Sequence, residues 1–105
     1  MNNNGHNSNE QQWKLLVLLL KEIAIEKHGV GYQLQVSKLT GFTPGNVSRM
    51  FSLKYAPSIK NFIIIAKALK VNFFFEDQES KTDLNIVFER AMETFGRRQN
   101  KLPKN

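Results

Sequence analysis

Gln33-Leu34-Gln35-Val36-Ser37-Lys38-Leu39-Thr40-Gly41-Phe42-Thr43-Pro44-Gly45-Asn46-Val47-Ser48-Arg49-Met50-Phe51 is the stretch on which the rest of the chain is read. Its first part predicts a short helix from Gln33 to Thr40, which Gly41-Phe42 breaks. Thr43 opens a second helix, predicted over residues 43–52. Threonine is a good N-cap, and proline at the first helical position has its φ pre-set and no N–H to leave unsatisfied. Val47, Met50 and Phe51 fall on one helical face and predict the buried stripe. Gly45, Asn46, Ser48, Arg49 and Ser52 are left outside.

Two short helices across a tight glycine-containing turn have the geometry of a helix-turn-helix. A helix that enters a DNA groove needs an exposed N-terminal half with small or hydrogen-bonding side chains, so that it can approach base edges. Gly45, Asn46, Ser48 and Arg49 supply that face, and free N–H groups at a helix start attract phosphate. Lys38, Lys54 and Lys60 flank it with positive charge.

Working outward, a first helix is predicted from Ser8 or Asn9, with Asn9 and Gln12 as a capping box. Trp13, Leu16, Val17, Leu20, Ile23 and Ala24 give it a buried stripe, and Gly29 after His28 is its left-handed cap. A fourth helix opens at Pro57-Ser58, with Ser58 as cap and Ile59, Phe62, Ile65, Ala66 and Leu69 inward. Residues 71–80 form a connector. A fifth helix is expected over 82–95, with Leu84, Val87, Phe88, Ala91, Met92 and Phe95 on one face and Gly96 as its stop. The organisation expected is a disordered polar tail over 1–9, one domain over 10–96 and a basic flexible tail over 97–105.

The composition narrows the function. The 105 residues contain no cysteine and two histidines, which removes disulfides, thiol chemistry and any multi-histidine metal site. Residues 1–5 carry no basic side chain ahead of an apolar run, and the run from Leu15 to Leu20 is far too short to span a bilayer. The expectation is a cytoplasmic protein without membrane contact. Formal net charge is +6, and from Lys27 to Phe75 there is no Asp or Glu, whereas Lys27, Lys38, Arg49, Lys54, Lys60, Lys67 and Lys70 lie in that span. A basic middle suits a polyanion partner. No enzyme is expected. His28 has no nucleophile beside it in the pattern and reads as a helix-end residue. Glu76, Asp77, Glu79 and Asp83 lack the glycine and terminal glutamate of a calcium loop. No phosphate-gripping glycine loop is present, so no cofactor, metal or small-molecule effector is expected.

The stretch quoted first, together with Pro57-Ser58-Ile59 and Ile65-Ala66-Lys67-Ala68-Leu69, resembles the lambda-repressor-like (XRE-type) helix-turn-helix family over about residues 13–72. The resemblance implies an all-α, five-helix bundle with the helix-turn-helix at its second and third helices, here followed by a C-terminal amphipathic helix. It implies double-stranded DNA as partner and transcriptional control, most simply repression, by a dimer at a palindromic site. Gln33 matches a family glutamine that touches phosphate and braces the recognition helix, and Thr43 matches the phosphate-contacting cap. Gly45, Ser48 and Arg49 fall on base-reading positions with Asn46 between them. Pro44 also falls on one but has no polar side chain. Lys54 and Tyr55 lie where the family's loop touches the DNA backbone. Tyr32 stands where Ser or Thr usually caps the second helix, and Leu53 and Lys70 replace glycines that usually follow the third and fourth.

Two features have more than one reading. Phe73-Phe74-Phe75 reads as a hydrophobic strap closing the core, with a dimer contact as the alternative. The stripe of the fifth helix can cover its own chain or pair with a second copy, and the second reading makes the protein a homodimer. A different functional class also uses this fold: an interaction module such as an antitoxin or adaptor.

Overall fold

The structure, a computed structural model, describes residues 5–98, with side chains from Ser8 to Gly96. It is all-helical among these residues: α1 Gly5–His28, a 3-10 turn Gly29–Gly31, α2 Tyr32–Thr40, α3 Pro44–Met50, α4 Ile59–Ala68 and α5 Leu84–Arg98. The chain divides into two compact units, Met1–Asn72 and Phe73–Asn105. The first holds four α-helices, not five. The fifth predicted helix exists but belongs to the second unit, where the sequence reading carried a single domain to residue 96.

In the first unit α2 is the hub and touches α1, α3 and α4. Its Val36 is fully buried at the centre of a core made by Val17, Leu20, Ala24, Val47, Met50, Phe51, Ile65, Ala66 and Leu69. Trp13, Ile23, Tyr32, Phe42, Leu53, Phe62 and Val71 pack around it. Two members of the predicted stripes are outside. Leu16 is exposed, because the line Val17–Leu20–Ala24 is the one that α1 turns to the core it shares with α2 and α4. Ile59 is 77 % exposed. It is the first residue of α4, where a side chain leans back toward the N-terminus and beyond the helix that α4 packs on.

The helix ends follow local chemistry. α1 extends back to Gly5, beyond the predicted start at Ser8 or Asn9, so residues 5–9 of the expected tail are helical. Once the packed turns downstream exist, adding polar residues to a helix costs little, since nucleation is the costly step. Residues 1–4 and 99–105 of the two expected tails lie outside the described residues. Gly29 (φ +71°) and Gly41 (φ +85°) take the left-handed conformation that the sequence assigned to glycine after α1 and α2. Ser58 caps α4 by accepting from the Asn61 N–H at 3.1 Å.

α4 ends in a Schellman motif: the Val71 N–H donates to Ala66 O at 2.9 Å and the Lys70 N–H to Lys67 O at 3.0 Å. Lys70 (φ +60°) holds the left-handed position there. Leu53 (φ +66°) does the same in the loop after α3. Both are sites where the family resemblance led to glycine, so the loop keeps the glycine geometry without the glycine.

In the second unit, Phe74 and Phe75 are 88 % and 90 % exposed and Phe73 is more than half exposed. Asp77 organises the following loop: its carboxylate accepts N–H bonds from Glu79 (2.9 Å), Lys81 (3.1 Å) and Thr82 (2.7 Å). The Glu79 N–H, then the Thr82 hydroxyl and N–H, then the Lys81 N–H hold its carboxyl below the ordinary value of 3.8. Asp83 starts α5, accepting from the Asn85 N–H at 3.0 Å. The helix runs through Gly96 to Arg98, not stopping at the glycine; one glycine inside a helix costs about 1 kcal/mol against alanine and does not forbid it.

Candidate nucleic-acid interface

The turn between α2 and α3 is knit by its own side chains. The Ser37 hydroxyl donates to Phe42 O at 2.5 Å, and the Thr40 hydroxyl donates to Val36 O at 2.7 Å. The Phe42 N–H in turn donates to the Thr40 hydroxyl oxygen at 3.1 Å. With Gly41 left-handed, these bonds fix the angle at which α3 leaves α2. Thr43 then caps α3 by accepting from the Asn46 N–H at 3.1 Å. The cap uses an acceptor lone pair of the exposed hydroxyl and leaves its O–H as a donor.

α3 is fastened underneath by Val47, Met50 and the following Phe51, all buried, and at its C-terminal end by Ser52. The Ser52 N–H and hydroxyl both donate to Arg49 O, at 3.2 and 2.7 Å. Tyr32 braces the same end, its ring 6.1 Å from that of Phe51 at 37°. Gln33 donates from Nε2 to the Tyr32 hydroxyl at 3.2 Å. The partly buried Gln33 thus bears on the end of α3 through Tyr32.

The outer face of α3 carries Gly45, Asn46, Ser48 and Arg49, all exposed. A Cβ on Gly45 would meet no protein atom within 4 Å, so the fold itself does not require glycine there. A helical glycine without a steric cause in the protein leaves room for something outside it. Arg49 donates from Nη2 to Asn46 Oδ1 at 2.8 Å.

The structure brings Asn46 and Tyr55 together at a cleft of about 140 Å³, lined also by Phe42, Met50 and Asn61. Asn61 was not among the residues expected from the sequence. Its role as third residue after the Ser58 cap was readable, but its approach to Asn46 and Tyr55 depends on the course of residues 51–58. Lys38 on α2, Lys54 in the loop and Lys60 on α4 are exposed at separate points. Among the described residues no hydrogen bond or ion pair engages their ammonium groups. Among those residues there is also no group of three or more His, Asp or Glu side chains that could hold a metal ion, and no helix long and apolar enough to cross a membrane.

The surface is therefore rigid underneath, polar on top and free of carboxylates from Lys27 to Phe75. It presents hydroxyl, amide and guanidinium groups on α3 and, at separate points, the ammonium groups of Lys38, Lys54 and Lys60. No curated protein and no solved structure matches the chain significantly. A family model described as helix-turn-helix matches residues 30–75, which span the end of the turn after α1, all of α2, α3 and α4, and the first residues of the connector. Over residues 30–75 the chain is thus similar to the lambda-repressor-like (XRE-type) helix-turn-helix family of DNA-binding domains, and its described residues are all-helical.

Proposed function

We propose that the protein is a sequence-specific transcriptional regulator, a repressor in its simplest form, that inserts α3 into the major groove of DNA in the cytoplasm. The observation that carries this reading is the outer face of α3. Gly45, Asn46, Ser48 and Arg49 are exposed together on a helix capped by Thr43 and anchored by Val47, Met50 and Phe51. In this reading Arg49 reads guanine, since Arg bidentate to guanine is the commonest specific contact. Asn46 and Ser48 line the same groove, and Gly45 admits its wall. Thr43, Gln33, Lys38, Lys54, Tyr55 and Lys60 contact the sugar-phosphate backbone.

Selection of bound sites from random duplex DNA with the full chain tests the reading. The expected result is one enriched motif, bound with an affinity that falls steeply with salt at a slope of about 0.9 per phosphate neutralised. Recovery of no motif, together with a flat salt dependence, overturns it.

The protein acts as a homodimer in this proposal. α5 carries Val87, Phe88, Met92 and Phe95 exposed along one face, and such a stripe suits pairing with a second copy about a two-fold axis. Two recognition helices about 34 Å apart would double the few reading side chains of one. A mass measurement at tens of micromolar, without DNA, decides this: a monomeric full chain removes the dimer. The same face supports the second reading, an antitoxin or adaptor that binds another protein. A protein of that kind gives no enriched DNA motif.

A further inference from the structure

We propose that Asn46 is a positioning residue that pre-orients the Arg49 guanidinium and thereby sets preference for a guanine. This rests on the reading of α3 as the groove helix and deepens it. The two residues are three apart, so they are neighbours on one helix face, and both are exposed. Nη2 of Arg49 donates to Oδ1 of Asn46 at 2.8 Å.

The chemistry suits orientation. A guanidinium has five N–H donors, and this bond takes one. Four remain, and one hydrogen from each Nη nitrogen can make the two-point contact with O6 and N7 of guanine. The orienting group is a neutral amide. No carboxylate lies between Lys27 and Phe75, so nothing anionic near Arg49 in sequence competes for it. An acid at position 46 would hold the arginine harder but repel the phosphates on either side of the groove. An amide oxygen fixes direction without that repulsion.

The bond also changes what Asn46 itself can read. A two-point contact with adenine uses the Asn oxygen and its NH₂ together. With Oδ1 already accepting from Arg49, that contact is disfavoured, and Asn46 acts through the arginine. Pro44 has no polar side chain and Gly45 has none at all, so the pair concentrates base discrimination at one position.

The test uses the full chain, its selected duplex and a random duplex. The Asn46→Ala, Arg49→Ala and double variants are titrated at one salt concentration. Arg49→Ala is expected to weaken the selected duplex by roughly 5- to 150-fold. Asn46→Ala should weaken it by roughly two- to tenfold, the effect of leaving one long side chain to be ordered on binding. It should weaken the random duplex less than the selected one and have no further effect in the Arg49→Ala background. Asn46→Asp keeps the acceptor, so it should preserve the selected-to-random ratio while weakening both duplexes. Three results overturn the proposal. Asn46→Ala could tighten binding, which would make the pair a restraint on Arg49. It could weaken binding equally without Arg49, which would make Asn46 an independent reader. It could also have no effect at all. If the wild type prefers no duplex, base reading by α3 fails and takes this role with it, a result seen before any variant is made. Asn46→Ala is expected to melt with the wild type, because the residue is exposed and its backbone N–H still serves the Thr43 cap.

Discussion

The Lys27 ammonium donates to the carbonyl oxygen of Leu69 at 2.7 Å, across 42 residues of sequence. It ties the last turn of α1 to the C-terminal end of α4, where carbonyls have no partner within the helix and the helix dipole favours a cation. Lys27 is one of the seven basic residues of the acid-free span, yet its charge is engaged within the fold. Lys27→Met keeps the stem and removes the donor, and should cost about 1 kcal/mol. The salt slope of DNA binding should not change. Thermal melting with a salt titration checks both; a shallower slope would place Lys27 on the DNA.

Lys70 and Leu53 share a left-handed backbone but should respond oppositely to glycine. The conformation costs a residue with a Cβ about 1–2 kcal/mol, while glycine adds roughly 0.5–1 kcal/mol of unfolded-state entropy. Lys70 is exposed, so Lys70→Gly should stabilise the fold by several tenths of a kcal/mol or more. Leu53 packs on the core, so Leu53→Gly also loses part of the roughly 1.5–3 kcal/mol that burying a leucine contributes and should be destabilising. Denaturant unfolding of both variants reads the signs; a destabilising Lys70→Gly contradicts the strain argument.

Val47 and Ile59 both looked like core residues by periodicity. Val47 is fully buried, so Val47→Asp puts an unpaired charge in the core and should unfold the first unit or lower its stability by more than about 4 kcal/mol. Ile59→Ser should lie within about 0.5 kcal/mol of wild type, as exposed substitutions do. A large loss on Ile59→Ser would mean that the start of α4 is covered in solution.

Arg49→Ala and Lys54→Ala should separate base reading from phosphate binding. The first is expected to cost about 1–3 kcal/mol on the selected site and to relax preference at one base pair. The second should weaken all duplexes alike and reduce the salt slope by about 1. Equal losses for Arg49→Ala on selected and random DNA would make Arg49 a phosphate ligand.

Asp77 should give the loop before α5 a pH dependence. Its folded pKa is lowered, so its contribution is fully present above the unfolded value near 3.8 and is lost as pH falls through the folded value. The carboxyl-carbon shift of Asp77 is expected to titrate below 3.8, accompanied by the Glu79, Lys81 and Thr82 amides. A titration at or above that value would mean the three N–H bonds are not held.

What was legible in the sequence is what forms within one or two turns of chain. The Thr43 and Ser58 caps each close on an N–H three residues ahead, and Gly29 and Gly41 take the left-handed turn by lacking a Cβ. The buried line Val47–Met50–Phe51 follows from helical period alone. The polar face of α3 was legible for the same reason, being the complement of that line.

The tertiary structure decided everything that depends on what stands opposite. Periodicity says that Ile59, Phe62 and Leu16 lie on apolar faces, but burial requires a neighbouring helix. Val17 lies in the core and Phe62 packs against it, whereas Ile59 and Leu16 stay outside. Three adjacent phenylalanines do not say where the chain divides, and the unit boundary falls directly before them. The engagement of Lys27 with Leu69, and the approach of Asn61 to Asn46 and Tyr55, join positions distant in sequence. Only packing brings such groups within hydrogen-bond or contact range, because nothing in local helix geometry specifies a partner so far along the chain.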